Sequence, residues 1–291
     1  MGVVIPANLV AACERDGRDD WLSALPVAIR TVARRWSLAL GPPFEPGGET
    51  AWVAPARTPE GHDVVVKVAW RHFEAEHEAV ALRVWDGNGA VRVFGDDIVD
   101  ERTSALLLER CRPGTTLAAR PAAVQDDVVA RLLPRLWHAP RDGVTFRPLQ
   151  TMCDAWADEF EEKVASGRFT GDAGIARDGA ALFRALPASA PDEVLLCTDL
   201  HAGNVLAARR EPWLAIDPKP YAGDPTYDAL QHMLNSRTRL DDDPVAFTTH
   251  VADLLALDET RLRRWLFARC VIESATWPAL VDVARRLVTA L

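Results

Sequence analysis

Three polar residues stand where apolar runs end. Residues 196–206 read LCTDLHAGNVL, and Ile216-Asp217-Pro218 follows. A short apolar strand delivering Asp199, then Asn204 five residues on, then a second strand ending in Asp217, gathers two carboxylates and an amide around one point. That set suits phosphoryl transfer, in which a protein does little covalent chemistry and instead holds divalent cations against phosphates and orients an acceptor hydroxyl. Asn204 and Asp217 offer hard oxygens to Mg²⁺, and Asp199 would accept the hydroxyl proton. Taken singly, an Asp at a strand end is an ordinary turn or cap residue, and D-x4-N recurs by chance. The joint arrangement carries the reading.

Lys67 lies in VVVKVAW, a β-branched run that would otherwise be fully buried. An unpaired ammonium there is costly, so an anion must meet it. Nucleotide phosphates supply one, and Glu78 on the next helix supplies another, as in the strand-lysine and helix-glutamate pair of kinases. Glu74 lies one turn earlier on the same face and competes for that role; the bland alternative is a strand-edge lysine reaching solvent. Lysine is scarce: it occurs only at Lys67, Lys163 and Lys219, so 30 of the 33 basic residues are arginine. Chance survival is one account of these three; a site that needs a compact ammonium rather than a guanidinium fork is another.

The turn FEPGGETAW could close over phosphates through backbone N–H groups near Gly47 and Gly48, although a Gly-Gly pair between strands is commonly just a hairpin. Neither GxGxxG nor GxxxxGK[ST] occurs, which argues against a dinucleotide-binding oxidoreductase and a P-loop NTPase. HExxH and GxSxG are absent too, so neither a zinc hydrolase nor a serine-elbow esterase is supported, and His201 is expected to orient the loop around Asp199 rather than bind metal.

The elements that must position these residues fall into two groups. Apolar residues Trp21, Leu22, Leu25, Ile29 and Val32 recur at helical spacing before a β region starting at Trp36. TAWVAPAR and VVVKVAW continue a meander, FEAEHEAVALRVW reads as a helix, and VRVF and ALLLE read as two more strands. After Pro113 the pattern turns helical: 121–138, 149–165 and 179–186, then strands EVLLCTD and PWLAID, then helices 226–235, 247–257 and 259–277, the last capped by Asp258. Gly/Pro-rich stretches punctuate the chain at 41–48, 111–121, 139–148, 166–179 and 187–192.

Composition narrows the class. The chain has 291 residues, 48% hydrophobic and 26% charged, enough for one large domain or two packed lobes. A net charge of −9, with acidic residues spread along the chain, argues against a nucleic-acid groove and favours a cationic or neutral small ligand. Five separated cysteines without a CxxC pair indicate neither a disulfide framework nor structural zinc. No apolar run reaches the length of a membrane span. With no basic region before an apolar stretch that Pro6 and Asn8 interrupt, a signal peptide is not expected, and the cytoplasm is the expected compartment. Nothing in the sequence bears on oligomeric state.

CTDLHAGNVL followed by LAIDPKPYAGDPTYDAL resembles the catalytic loop and metal-binding segment of the aminoglycoside phosphotransferases. LLLER, LRVWDGNGAVRV and RW-x-L-x-LGPPFEPGG bring the likeness nearest to the streptomycin 6-kinase and hydroxyurea phosphotransferase branch, and extend it over nearly the whole chain. The resemblance implies an α+β, two-lobed protein-kinase-like fold, with a β-rich nucleotide-binding lobe over residues 1–109 and a mainly helical lobe over 110–291. It implies ATP and Mg²⁺ as cofactors, Asp199 as catalytic base, Asn204 and Asp217 as metal ligands, Lys67 as the phosphate-binding lysine and Glu78 as its partner. Glu109, Arg110 and Cys111 would flank the adenine. Asp224 would tie the segment after Asp217 to the catalytic loop, and Asp228 would anchor the helix that follows.

The acceptor implied is a small, cationic molecule such as streptomycin, with hydroxyurea or another metabolite as alternatives. Acceptor contacts in such folds come from C-terminal helices, where Glu273 and Trp277 are candidates against a reading as plain helix surface and core. The chain departs from the family at Cys197, where a histidine is usual, which keeps a catalytically weak nucleotide-binding pseudokinase as a third alternative.

Overall fold

A computed structural model describes residues 2–139, 143–169 and 171–290. Parts of the Gly/Pro-rich stretches at 139–148 and 166–179 therefore lie outside the described residues. The chain divides into two compact units, 1–114 with 207–212, and 115–206 with 213–291.

The first unit begins with α1 (Ala7–Arg15) and α2 (Asp19–Arg35), continues through β1 (Ala39–Leu40), β2 (Ala51–Arg57) and β3 (Asp63–Trp70), and closes with α3 (Glu78–Trp85), β4 (Val93–Asp100) and β5 (Thr103–Glu109). Its antiparallel sheet has the order β1-β2-β3-β5-β4. Side chains alternate across a strand, so β3 carries two different surfaces. Val64, Val66 and Val68 join Leu9, Trp21, Leu25 and Ile29 of α1 and α2 in one core. Lys67 belongs to the other set and pairs in register with Val53 and Leu106. A slip of one residue would drive its ammonium into the valine core, so the alternating pattern itself fixes where Lys67 emerges.

Two elements begin later than the sequence reading places them. The β region expected from Trp36 is reduced to Ala39–Leu40, because Trp36 caps α2 and Leu38 N–H bonds back to Ala33 O at 2.8 Å. The helix expected from Phe73 starts as a short 3₁₀ turn over Phe73–Ala75, and its α part begins at Glu78. This unit ends at Gly114, five residues past 109, and the hairpin 207–212 returns to it. Arg210 secures that return by binding both Glu109 carboxylate oxygens at 2.9 Å and the carbonyls of Gly87 and Ala90.

The second unit holds α4 (Ala122–Trp137), α5 (Leu149–Ala165), α6 (Ala173–Ala185), β6 (Val194–Leu196), β7 (Val205–Ala207), β8 (Trp213–Ala215) and β9 (Tyr221–Gly223), with β7 reaching across the boundary to Ala207. It continues through α7 (Pro225–Asp228), α8 (Leu230–Asn235), α9 (Arg237–Asp242), α10 (Pro244–Leu255), α11 (Glu259–Glu273) and α12 (Leu280–Val288). The strands form two ribbons, β6 with β9 and β7 with β8. Helix α11 is buried at every position from Trp265 through Ile272, Arg269 included, although four arginines and two glutamates punctuate it, and is accordingly central. Gly179 of α6 lets it approach: a Cβ there would stand 2.5 Å from Val271 Cβ. Asp258 caps α11 by accepting Arg261 N–H, as its position before the helix predicts. Helices α1, α9 and α12 are additional to the sequence reading. Among the described residues, no helix is long and apolar enough to cross a membrane.

Candidate active site

The chemistry-bearing residues of the second unit sit on the connections that leave β6 and β8. Beyond β6 the chain turns through Thr198 at φ 50° and presents Asp199; beyond β8 it turns at Asp217 itself, φ 55°. Left-handed backbone in non-glycine residues is costly and persists only where its surroundings enforce it. Here the two turns are laced together. Lys219 N–H and Asp199 N–H both donate to Cys197 O, at 2.9 and 2.8 Å, and the Thr198 hydroxyl donates to Lys219 O. Ile216 N–H donates to Asn204 O at 2.9 Å, tying the residue before Asp217 to Asn204.

Asp199 is the focus of this lacing. The Asn204 amide donates to its backbone carbonyl at 3.1 Å and to Oδ2 at 3.3 Å. Gln231 Nε2 donates to Oδ1 at 2.8 Å, and Lys219 Nζ lies 3.2 Å from Oδ2. With its nitrogen committed to Asp199, the Asn204 carboxamide has its oxygen left to act as an acceptor. Together with the Asp217 carboxylate this is a hard-oxygen donor set, which fits Mg²⁺, an ion that retains waters and takes few protein ligands. His201 accepts Gly203 N–H through Nδ1 at 3.1 Å and so caps the 3₁₀ turn carrying Asn204. Burial lowers the His201 pKa, with the Lys219 charge adding to the effect against Asp199 and Asp217, in keeping with a neutral ring that accepts at Nδ1.

Two aspartates exchange the duties expected of them. Asp228, fully buried, grips the loop that carries Asp199: Oδ2 accepts Cys197 N–H at 3.0 Å and Trp137 Nε1–H at 2.9 Å, and Oδ1 accepts Thr198 N–H at 2.6 Å. Asp224 instead caps α7 through Thr226 N–H and binds Arg261 and Trp265 of α11. The family resemblance implies Asp224 for the loop and Asp228 for the helix that follows. The turn of helix between the two aspartates carries Asp228, not Asp224, back to the end of β6. The Cys197 side chain is fully buried, and its contribution to the loop comes through main-chain N–H and C=O.

In the first unit Lys67 Nζ meets both carboxylate oxygens of Glu78, at 2.8 and 2.7 Å, with both side chains over nine-tenths buried. Glu78 is therefore paired with Lys67, as expected. Glu109 is held by Arg210 and by Arg92 N–H; burial opposes its ionisation, but these hydrogen bonds outweigh burial and lower its pKa. The Cys111 thiol is pushed up to about 11, by burial first and then by Glu109, so it stays protonated at neutral pH. Gly47 has a packing reason to be glycine: φ is 84°, and a Cβ would fall 2.4 Å from Pro6 Cβ. At Gly48 the nearest atom to an added Cβ is Ala51 O at 3.8 Å, so that side of the turn is open.

Residues 35–281 match the family described as aminoglycoside/hydroxyurea antibiotic resistance kinase. The chain is a member of that family. It is 34% identical to a streptomycin 6-kinase of Streptomyces glaucescens, over 98% of this chain and 97% of that one. A hydroxyurea phosphotransferase of Kitasatospora aureofaciens is 36% identical over 94% of this chain and 80% of its own. Among solved structures, the aminoglycoside phosphotransferase APH(4)-Ia in ternary complex with ADP and hygromycin B aligns with a TM-score of 0.59 and 15% identity, covering 89% of this chain and 96% of that one. The choline kinase LicA of Streptococcus pneumoniae gives 0.62 and 14%, covering 89% and 97%. The fold is thus the α+β, kinase-like one that the sequence motifs imply.

Toward its C-terminus the kinase places Glu273 at the end of α11, where it pairs with Arg269 at 2.9 Å. Arg269 is itself buried and stacks over Trp156, 4.0 Å from the ring centroid. Trp277 is 60% exposed, unusual for so large an apolar side chain. Gln231 and the contact between Lys219 and Asp199 were not read from the sequence. The scarcity of lysine pointed at Lys219, but no local signal marks Gln231, whose place beside Asp199 arises from tertiary folding alone.

Proposed function

We propose that this kinase transfers the γ-phosphoryl group of ATP to a hydroxyl of a cationic aminoglycoside of the streptomycin class, inactivating it. The observation that carries the choice of acceptor is the 34% identity with a streptomycin 6-kinase, sustained over 98% of this chain and 97% of the other. The net charge of −9 favours a polycationic acceptor over a neutral one. ATP as the donor agrees with action in the cytoplasm.

In this reading Asp199 accepts the proton of the acceptor hydroxyl as its oxygen bonds to the γ-phosphorus and the bond to the ADP oxygen breaks. The products are the O-phosphorylated acceptor, ADP and the proton held at Asp199. Mg²⁺, when bound, would neutralise charge on the phosphates, and Asn204 and Asp217 are the residues to hold it. Lys67, oriented by Glu78, binds phosphate oxygens, and the open side of the turn at Gly48 offers backbone N–H groups to the same phosphates. Main chain at Glu109 and Cys111 borders the adenine; the Glu109 carboxylate is already engaged by Arg210. Glu273 and Trp277 face the acceptor.

Hydroxyurea is the second reading, favoured by the 36% identity with a hydroxyurea phosphotransferase. The test is ADP release with Mg·ATP against a panel of streptomycin, other aminoglycosides and hydroxyurea, with the phosphorylated product weighed by mass spectrometry. Streptomycin-dependent release with one phosphate added supports the proposal. Release with hydroxyurea alone transfers the assignment, and release with none of them removes it.

A further inference from the structure

Lys219 is one of three lysines in a chain that otherwise uses arginine for every basic position. Its main chain is bound into the catalytic loop on both sides, by N–H to Cys197 O and by C=O from the Thr198 hydroxyl. Its ammonium stands 3.2 Å from Asp199 Oδ2 while Gln231 Nε2 takes Oδ1 at 2.8 Å. The two oxygens of one carboxylate are therefore held by donors from two separate elements, with the Asn204 amide a third at 3.3 Å. A pair with a lysine side chain one-third exposed adds little to stability. Stability gives no reason for this anchored contact, and neither does general surface charge.

We propose that Lys219 is a positioning residue for the phosphoryl-transfer step: with Gln231 it fixes the plane and direction of the Asp199 carboxylate, so that one oxygen meets the acceptor hydroxyl. The proposal rests on the reading of Asp199 as the base. A carboxylate on a freely rotating χ2 would present its oxygens over a wide arc, and small misplacements of reacting groups cost large factors in rate. An ammonium suits the place because it meets one oxygen as a point charge, whereas a guanidinium fork would contend with Gln231 and Asn204 for both.

The test compares wild type with K219M, K219R, D199N and the double variant D199N/K219M. Readouts are kcat, KM for ATP and acceptor, and the melting shift on adding Mg·ATP. K219M is expected to lose roughly 30-fold to 100-fold in kcat, the scale of a misplaced catalytic group, with KM for ATP and the Mg·ATP shift preserved. K219R is expected to recover part of that loss. Because Lys219 acts through Asp199, K219M should add no further loss to the residual rate of D199N. A K219M rate within threefold of wild type, a lost Mg·ATP shift, or an equal K219M loss in the D199N background would each overturn the role of Lys219 while leaving a slow D199N intact. Full turnover in D199N would overturn the base assignment, and the role of Lys219 with it.

Discussion

Asp228 accepts the backbone N–H of Thr198 at 2.6 Å, and with its other oxygen that of Cys197, so the loop that leads to Asp199 is held by main chain. The residue at 197 need only be small and apolar enough for a fully buried slot. Cysteine at 197 is then expected to leave this main-chain hold intact. Cys197→Ala is expected to keep kcat within about threefold and to lose about 1 kcal/mol of stability for the sulfur removed from the core. Loss of turnover in a folded Cys197→Ala would mean that the side chain itself serves the reaction.

Burial raises the Asp228 pKa to about 6, against the N–H donors of Cys197, Trp137 and Thr198 that favour its anion. The unfolded carboxyl titrates near ~3.9, so the folded state binds the extra proton between those values. Stability from this group is complete below pH ~3.9 and is lost as pH rises through about 6. Asp228→Asn places an amide against N–H donors and should cost about 1–3 kcal/mol at pH 7. Its unfolding free energy should also lack the decline that wild type shows between pH 4 and about 6. Parallel pH profiles for the two proteins would contradict the shift.

Removing one member of the buried pair between Lys67 and Glu78 strands the other charge. Glu78→Ala or Lys67→Met is expected to cost about 3–5 kcal/mol, whereas the double replacement Lys67→Met/Glu78→Leu should regain most of that stability without regaining turnover. Denaturant melts with parallel rate assays check both. A double variant that turns over at the wild-type rate would show that phosphate binding does not need Lys67.

Glu273 neutralises a buried arginine, and Trp277 does not share that duty. Glu273→Gln should therefore destabilise the fold by about 1–3 kcal/mol, because Arg269 loses its carboxylate. Trp277→Ala should leave stability within about 0.5 kcal/mol and raise KM for the acceptor severalfold if the exposed indole meets it. An unchanged acceptor KM in Trp277→Ala would remove that residue from the acceptor site.

The sequence makes legible what is local. Alternation in VVVKVAW sets the face of Lys67, the Asp258 cap starts α11, and the order of strand, Asp199, Asn204, strand and Asp217 outlines the candidate site. It hides what depends on how helices return to the loop. Asp224 and Asp228 lie one turn apart and are alike in type, so their duties follow only from the direction in which α7 leaves β9. Gln231 and Arg210 reach their partners across 32 and 101 residues, distances over which no spacing rule operates. The short β1 and the late start of α3 reflect backbone bonds that end one element before the next begins.

The central claim is that Asp199 takes the acceptor proton in a kinase that binds Mg·ATP independently of that step. The most direct measurement is ADP release from Asp199→Asn with streptomycin, alongside its melting temperature with and without Mg·ATP. Turnover should fall by about 10²-fold to 10⁴-fold, the range for loss of a general base, while the Mg·ATP melting shift remains. Undiminished ADP release from Asp199→Asn, with product of the expected mass, would contradict the account.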